Sequence, residues 1–397
     1  MSPLNLAAHL GQGEFLAQVL HRQYRHVPAA IEAPDALITW DALNDILATH
    51  RMDPPRLRLS KNGEMLPQYR YSVPVVTRRR TVWQRTRPAE LHTRLAEGAS
   101  LVVDAIDELH LPVGHAAAEL EQWLRAGVQV NLYASWTPTE GFGVHWDDHD
   151  VLVIQVDGSK RWKIYGPTRV APMHKDTSEP DPPPKEPVAE LVLNPGDLLY
   201  LPRGWWHSVS ASEGERSMHL TFGMQTHTGA GLLAWLADEL RGREVLRRDL
   251  PVHASPEEQA EYIDQLRKEV ATAFDAPGLI GRYISSRDGT DDTRLRPSLP
   301  YVDGLPADPL IRVRLTTGRA ELSASPEGDG VVFRATDNEW ELDDAAAPLL
   351  RALMGAGSGS VTLGELASAA GVTLDDVASL VWDLIEGHAV TVDGGPS

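Results

Sequence analysis

The sequence predicts a mixed fold in three parts: an antiparallel β-barrel or sandwich, then a helical region, then a small winged-helix-like module. Three observations predict it. Short β-branched and aromatic runs, separated by Gly, Pro and Asp-Gly turns, dominate residues 100–225. Helical patterns replace them after residue 228, and residues 310–397 combine short strands with a helix–turn–helix. We therefore expect domains at residues 1–227, 228–305 and 306–397.

Residues before the predicted barrel form an extension of helices and a hairpin. The segment "GEFLAQVLHRQY" has apolar residues at helical spacing, and Thr39 is a suitable N-cap for the helix that follows it. Asn62-Gly63 fits the turn of a β-hairpin. Within the barrel region one helix, "GHAAAELEQWLRAG", interrupts the predicted strands "SLVVDAI", "VQVNLYAS", "DVLVIQVDG", "KRWKIYG", "AELVLNPGDLLYLP", "HSVSAS" and "MHLTFGM".

The amino-acid composition limits the classes of protein to which this chain can belong. The chain has 397 residues, 42% hydrophobic and 23% charged, which is typical of a folded protein with two or three domains. It has no cysteine, which excludes disulfides, zinc–thiolate sites, iron–sulfur clusters and thiol nucleophiles. We find neither a signal-peptide pattern nor a run of about 18 apolar residues, so we expect a cytoplasmic protein without membrane contact.

Charge is unevenly distributed along the chain. The net charge is −19, and the segment from Glu321 onwards holds fourteen acidic against two basic residues, or −12. Because DNA recognition needs a basic surface, we expect the winged-helix-like module to bind no DNA and to serve a structural or protein-binding role. Residues 56–94 hold ten basic against two acidic residues, or +8. A solvent-facing surface is the favoured interpretation, and a local surface that binds nucleic acid is the alternative.

The segment "GFGVHWDDHD" at 141–150 places imidazole and carboxylate groups together after a glycine-rich turn. Most such acidic clusters are turns or helix caps. In a strand, however, side chains two residues apart share a face, so His145 and Asp147 can bind one metal ion while Trp146 points away.

A third ligand follows in "LNPGDLLYLPRGWWHSVSAS", where His207 comes after a turn and a buried strand. His207 alone is equally consistent with a packed core histidine. Two histidines and one carboxylate are the ligand set of non-haem Fe(II) oxygenases, which leave the remaining metal positions open. On neighbouring strands of a barrel, the three residues predict such a site.

These segments resemble a known family. "GFGVHWDDHDVLVIQVDGSKRWKIYGP" followed by "LNPGDLLYLPRGWWHSV" is similar to the JmjC/cupin-type Fe(II)/2-oxoglutarate oxygenases of the ribosomal-oxygenase group. That group includes bacterial arginine hydroxylases of a ribosomal protein and eukaryotic histidine hydroxylases. The resemblance is clear over residues 128–225 and looser over the helical middle and the acidic C-terminal module, whereas residues 50–100 match the family's substrate-contacting segments poorly. It implies a double-stranded β-helix (cupin/jelly-roll) barrel, a helical dimerisation region and a C-terminal winged-helix domain.

The resemblance also implies residue roles. His145, Asp147 and His207 fall on the iron ligands, and Lys160 falls where the family grips the distal carboxylate of the cosubstrate 2-oxoglutarate. Without the resemblance, Lys160 is better interpreted as an exposed hairpin charge. Asn131 matches an asparagine near the cosubstrate in several relatives, although it is equally consistent with an edge-strand residue. From their spacing, His219 and Thr221 are candidates to line the pocket, whereas Asp148, His149 and Asp150 are better interpreted as supporting or surface groups.

The expected function is that of an Fe(II)-, 2-oxoglutarate- and O2-dependent hydroxylase of a protein side chain, Arg or His, in a ribosomal protein. A peptide on a biosynthetic pathway is an alternative substrate. A metal-binding cupin without catalysis, acting as a sensor or scaffold, is the alternative from another class. We expect a homodimer, because the amphipathic helices at 228–300 follow a barrel that closes its own core.

Overall fold

The computed structural model describes residues 4–80, 82–174, 176, 181–211, 216–225, 227–290, 296–325, 328–357 and 359–393. The chain divides into two compact units, Met1–Gln225 and Thr226–Ser397. Each unit has its own hydrophobic core. The three-domain division expected from the sequence remains a prediction.

The first unit contains a few helices and most of the strands. Its helices are α1 (Leu6–Leu10), α2 (Gln12–Glu14), which a π-helical turn (Phe15–Val19) continues, α3 (Trp40–Thr49), α4 (Pro88–Ala96) and α5 (Leu111–Leu124). Its strands are β1 (Arg25–Val27), β2 (Leu57–Lys61), β3 (Glu64–Met65), β4 (Ser72–Val76), β5 (Val82–Thr86), β6 (Ser100–Val103), β7 (Val128–Ser135), β8 (Asp150–Asp157), β9 (Lys160–Pro167), β10 (Ala189–Leu193), β11 (Leu198–Leu201), β12 (Trp205–Ala211) and β13 (Ser217–Met224).

Local sequence signals explain two of these elements. The Thr39 hydroxyl accepts a hydrogen bond from the Ala42 N–H at 3.1 Å, which caps α3 as expected. Asn62 and Gly63 both have positive φ, at 53° and 81°, and they join β2 to β3. That conformation is what a tight two-residue hairpin turn requires, so the Asn-Gly prediction is confirmed.

Two antiparallel sheets form the centre of the first unit. The larger has eight strands in the order β1-β11-β8-β13-β7-β6-β2-β3, and the smaller has three in the order β10-β9-β12. One face of the large sheet packs into the main core, where Leu132 of β7 and Leu220 of β13 lie with Leu120 of α5. The other face meets the small sheet, because Val153 of β8 and Trp162 of β9 share a second apolar cluster. Along each strand of the large sheet, side chains point alternately into the main core and into the space between the two sheets.

The second unit combines helices with two small sheets. Its helices are α6 (Gly229–Glu239), α7 (Glu244–Arg247), α8 (Pro256–Asp275), α9 (Leu279–Gly289), α10 (Ala347–Gly355), α11 (Leu363–Ala370) and α12 (Leu374–Glu386). Its strands are β14 (Arg312–Leu315), β15 (Glu321–Ala324), β16 (Val331–Ala335), β17 (Asn338–Leu342), β18 (Val361–Thr362) and β19 (Val390–Val392), in sheets β18-β14-β19 and β15-β16-β17. Helix α8 has no buried residue. Among the described residues, no helix is both long enough and apolar enough to span a bilayer.

Candidate functional site

Three side chains meet at one end of the space between the two sheets. A potential ligand atom of each of His145, Asp147 and His207 lies within 4.8 Å of the other two. His207 Nε2 is 3.7 Å from Asp147 Oδ2, and the two imidazole rings are 4.4 Å apart. Within the described part of the chain, no other group of three or more His, Asp or Glu residues has this spacing. The structure thus brings together the three residues that the sequence singled out.

Backbone hydrogen bonds hold the two histidines opposite each other. The His145 N–H donates to the His207 carbonyl at 3.0 Å, and the His207 N–H donates to the His145 carbonyl at 2.8 Å. On its other side β12 pairs with β9, and the register shifts between Trp206 and His207. Such a bulge re-aims the side chain that follows it and is frequent beside active sites.

The prediction that His145 and Asp147 lie on one strand needs correction. Residues 136–149 form only the isolated bridge between His145 and His207, and the strand β8 begins later, at Asp150. The alternation nevertheless holds locally, because Trp146 packs edge-on against Trp206, away from the cluster. The bridge and the Gly204 N–H, which donates to the Asp147 carbonyl, replace a regular ladder.

The hydrogen bonds fix which nitrogen of each histidine is free. His145 Nδ1 lies 3.1 Å from the Gly143 carbonyl, and His207 Nδ1 lies 2.9 Å from the Trp205 carbonyl. Because a carbonyl only accepts, each Nδ1 carries the proton and donates. The lone pair of each neutral imidazole is therefore on Nε2, the atom that a metal needs.

The protonation states of the three side chains are those that a metal site requires. Burial and the neighbouring His145 lower the pKa of His207 to about 4, against the opposing effect of Asp147. Burial acts to raise the pKa of Asp147, but His145, His207 and His149 together hold it below its usual value. At neutral pH, His207 is neutral and Asp147 is a carboxylate. Two nitrogen donors and one oxygen donor suit a divalent transition metal with open coordination positions.

A second polar group lies between the sheets, around Lys160. This side chain is only 4% exposed, and its Nζ donates to Ser135 Oγ at 2.5 Å. Burial lowers the pKa of Lys160 to about 7. Nearby, His219 Nδ1 and Trp162 Nε1 are buried and have no hydrogen-bond partner among the described residues. Buried polar atoms are normally paired, so these unpaired atoms indicate a place for a polar ligand.

The remaining predicted residues line the same inner face. Thr221 lies directly opposite Asn131 across the pairing of β13 with β7. Asn131 Oδ1 accepts hydrogen bonds from the Ala105 N–H and from Gln129 Nε2, both at 3.0 Å. The carbonyl of Asn131 is therefore used within the protein, and neither Asn131 nor Thr221 is part of the metal-ligand cluster.

Tyr133, which connects the two polar groups, was not among the residues predicted from the sequence. Its ring stacks on His219 at 5.1 Å with an interplanar angle of 6°. Burial raises the pKa of Tyr133, and the nearby Asp147 raises it further, so the phenol stays protonated. Alternation along β7 was the available signal, because Tyr133 and Ser135 share the face of Asn131.

The acidic residues after the cluster have separate roles. Asp148 accepts from the ring nitrogens of His149 and His174 at 2.9 and 3.1 Å. Asp150 is fully buried, with the Tyr200 hydroxyl donating to it. Asp150 is therefore not a surface group.

Comparison with known proteins identifies the domain that holds this site. Residues 111–232 match the JmjC domain family. A relative from Drosophila persimilis, described as a bifunctional lysine-specific demethylase and histidyl-hydroxylase NO66, is 31% identical over 137 residues, which are 34% of this chain and 20% of the relative. The protein of the same description from Aedes aegypti is 33% identical over 179 residues, or 43% of this chain and 28% of the relative. The chain thus spans less than a third of these relatives' length.

Solved structures extend the similarity to nearly the whole chain. The ribosomal oxygenase YcfD from Escherichia coli matches with a TM-score of 0.61 at 20% identity, covering 96% of this chain and 97% of that one. YcfD in complex with cobalt and 2-oxoglutarate matches with a TM-score of 0.58 at 19% identity, covering 97% and 99%. The chain therefore has the JmjC/cupin fold with a large antiparallel sheet and several helices. The resemblance to JmjC proteins of the ribosomal-oxygenase type is confirmed.

Proposed function

We propose that this protein is an Fe(II)- and 2-oxoglutarate-dependent oxygenase that hydroxylates an amino-acid side chain of another protein. One observation carries the proposal: His145, Asp147 and His207 lie within ligand distance of one another in a JmjC domain, and both histidines have Nε2 free. The donor set is that of a non-haem iron site.

The three side chains would hold the iron, and their surroundings would keep them in position. When bound, Fe(II) with 2-oxoglutarate and O2 supplies the oxidising power to place one oxygen atom in an unactivated C–H bond, with succinate and CO2 as the other products. The carbonyls of Gly143 and Trp205 orient the two imidazoles. The protonated Tyr133 borders Asp147 without adding a second negative charge.

Lys160 would bind the distal carboxylate of 2-oxoglutarate. Its ammonium is buried and has no acidic partner among the described residues, so an incoming carboxylate would supply the missing counter-charge. Ser135 would orient the ammonium, and the unpaired Trp162 Nε1 and His219 Nδ1 border the same space. Asn131 and Thr221 would line the cosubstrate pocket beside them.

The proposed substrate is an arginine or histidine side chain of a ribosomal protein. Support comes from the relatives, which are described as histidyl-hydroxylases, and from the structural neighbour described as a ribosomal oxygenase. Asp147 is one-third exposed, so the cluster is open to a side chain arriving from solvent. A biosynthetic peptide would use the same chemistry and is the alternative substrate.

The rest of the chain would support this activity. We interpret the two facing sheets as a double-stranded β-helix and the helices from α6 to α9 as a dimerisation region. Helix α8 carries Ile263 and Phe274 on its surface, 50% and 45% exposed, and such apolar side chains favour a helical partner. Helices α11 and α12 with the β18-β14-β19 sheet resemble a winged helix. Because α12 carries exposed acidic and no basic residues, that module would bind protein and not DNA.

Two assays test the proposal with the full-length chain. Loaded with Fe(II) under anaerobic conditions and then given 2-oxoglutarate and air, the protein should release succinate slowly even without substrate. Added ribosomal proteins should increase the rate, and mass spectrometry should detect one extra oxygen atom on an Arg or His residue. Metal binding with neither succinate release nor oxygen incorporation would favour the non-catalytic cupin. Modification of a peptide alone would favour the biosynthetic substrate.

A further inference from the structure

The two-stranded sheet β4–β5 ends in an exposed basic turn that the metal site does not use. This sheet pairs with no other strand in the described part of the chain. Its turn contains Arg78–Arg80, all exposed, and the Arg80 N–H donates to the Thr77 carbonyl at 2.9 Å. None of the three guanidinium groups forms an ion pair with a described residue. Three cationic groups thus project from one turn, and no carboxylate of the described residues pairs with them.

A groove lies along β5, from Trp83 to Thr86. It has a volume of about 570 Å³ and lies between the C-terminal end of α3 and the N-terminal end of α4. Its charged or ionisable lining residues are His50, Arg51, Arg85 and His92, and no acidic residue lines it among those described. Trp83, the groove residue nearest the turn, is three residues after Arg80, or at most about 10 Å along the chain at about 3.3 Å per residue. The basic turn and the groove therefore lie close together on the hairpin.

The groove also has a flat aromatic surface. The guanidinium of Arg51 lies over the Trp83 ring, 4.4 Å from its centroid. The first turn of α4, with Pro88 in the groove, has no side-chain cap, and its positive dipole end favours anions. Two acidic residues are close by but do not line the groove: Asp53 accepts from the Gln84 N–H, and Glu90 pairs with Arg87.

We propose that this surface, the Arg78–Arg80 turn with the Trp83 groove, binds single-stranded RNA. Guanidinium groups bind phosphate oxygens in pairs, and an aromatic ring beside an arginine stacks an unpaired base. An acidic peptide would use the charges but would have no use for the Trp83–Arg51 pair. The choice of RNA over DNA rests on the proposed function, because a ribosomal protein is a component of an RNA-containing particle.

The net charge of −19 does not oppose this proposal. At physiological ionic strength, charges more than about 8 Å apart are largely screened, so an RNA strand responds to the charges close to it. The acidic excess lies mainly after Glu321, whereas residues 56–94 carry +8. A local basic surface can therefore bind RNA on an acidic protein.

The test measures fluorescence anisotropy of a labelled oligouridine of about 12 nucleotides, within the usual site size, with the full-length protein. If about five guanidinium groups contact phosphates, the slope of log affinity against log salt should be about −3.5. Replacing Arg78, Arg79 and Arg80 by Gln should weaken binding at least about tenfold at low salt and make the slope shallower by about 2. The control replaces Arg241, Arg243 and Arg247 by Gln, which removes the same charge from an exposed surface elsewhere.

Trp83 separates base stacking from charge. Trp83→Ala should weaken binding by about 5- to 150-fold, the range for one stacked base, without changing the salt slope. Trp83→Phe should retain part of the affinity, because phenylalanine still offers an aromatic ring. Thermal melting of both Trp83 variants shows whether they remain folded.

Three results would overturn the proposal: equal losses in the two arginine triples, competition by polyglutamate as strong as that by unlabelled RNA, or equal binding of the matching DNA oligomer. Succinate release should be the same in the wild type and the hairpin variants, because none of these residues belongs to the metal cluster or the Lys160 pocket. A failure of RNA binding is therefore distinct from a failure of the proposed oxygenase activity.

Discussion

Lys160 Nζ donates its hydrogen bond to Ser135 Oγ in the space between the two sheets, where no carboxylate of the described residues reaches it. A buried ammonium with one neutral partner is costly unless a ligand supplies the counter-charge. Burial lowers the pKa of Lys160 to about 7, because loss of hydration disfavours the charged form. Two predictions follow from this pair.

Lys160→Ala should raise the KM for 2-oxoglutarate by about two to three orders of magnitude, with little effect on metal affinity. Truncating one partner of a buried charge pair costs about 3–5 kcal/mol. Lys160→Arg should retain part of the affinity, because a guanidinium still reaches a carboxylate but with different geometry. Titration of 2-oxoglutarate into metal-loaded protein measures the effect. If the KM of the alanine variant changes by less than about threefold, under 1 kcal/mol, another residue binds the distal carboxylate of 2-oxoglutarate.

Binding of 2-oxoglutarate should weaken as the pH rises above about 7. Burial lowers the pKa of Lys160 to about 7, whereas a bound carboxylate would raise it. Below that pH the ammonium is already present; above it, binding must take up a proton. The dissociation constant should therefore rise by up to about tenfold per pH unit. Lys160→Arg is the control, since its guanidinium stays charged throughout this range. Equal pH dependence in both proteins would contradict the assignment.

His145→Ala and Asp147→Ala should each abolish metal binding and 2-oxoglutarate turnover. Even the partners that merely orient metal ligands typically contribute about 10- to 100-fold to affinity, so loss of a ligand should cost more than about 100-fold. Calorimetry with Co(II) or anaerobic Fe(II), together with succinate release, measures both effects. Asp148→Ala is the matched control, because its carboxylate accepts from His149 and His174 and lies outside the cluster. Near-wild-type turnover in either ligand variant would remove the metal assignment.

The candidate metal ligands could be found from the sequence because their residue types and spacing are those of a metal site. A histidine and an aspartate two residues apart, with a second histidine after a later turn, match the two-histidine, one-carboxylate ligand set of non-haem iron sites. The strands around them followed from alternation and turn residues. The predicted local backbone structure was wrong, because His145 lies on an isolated β-bridge and not in a strand. In addition, β12 has a bulge at His207. Bulges depend on how two strands meet, which no short segment encodes.

Spacing along the strands predicted His219 and Thr221 as pocket residues, but three other residues of the pocket were not found in this way. Tyr133, Ser135 and Trp162 are ordinary strand residues, and their roles depend on which sheet face meets the other sheet. Asp150 shows the same limit, because its partner His21 is 129 residues away in the chain. Such contacts are set by tertiary packing and leave no local pattern.

The wild-type protein should sediment as a dimer at micromolar concentration through helix α8. Ile263, Leu266, Val270 and Phe274 recur every three or four residues on this helix, and none is buried. Ile263→Glu should weaken the dimer at least about tenfold, because burying one isoleucine is worth about 1.5–3 kcal/mol. Val170→Glu, at a site 93% exposed in the first unit, should have no effect. A monomeric wild type would refute this prediction.

The buried carboxylate of Asp150 joins the N-terminal extension to the barrel through hydrogen bonds. Its Oδ1 accepts from the Arg203 N–H at 3.0 Å, and its Oδ2 accepts from the Tyr200 hydroxyl and lies 2.7 Å from His21 Nδ1. Burial acts to raise the pKa of Asp150, but these donors outweigh it and hold the pKa below its usual value. The folded state thus favours the ionised form.

Asp150→Asn should therefore lower the free energy of unfolding by about 1.5–3 kcal/mol at neutral pH, the value of hydrogen bonds to a charged group. A lowered folded-state pKa gives stability that is fully present above the unfolded value of about 3.9 and is lost as the pH falls through the folded value. The difference between wild type and variant should be constant from about pH 7 to about pH 5 and shrink below about pH 4. Urea denaturation across this range measures it, with the exposed Asp45→Asn as control. A difference that grows on acidification would mean that Asp150 is not held ionised by these donors.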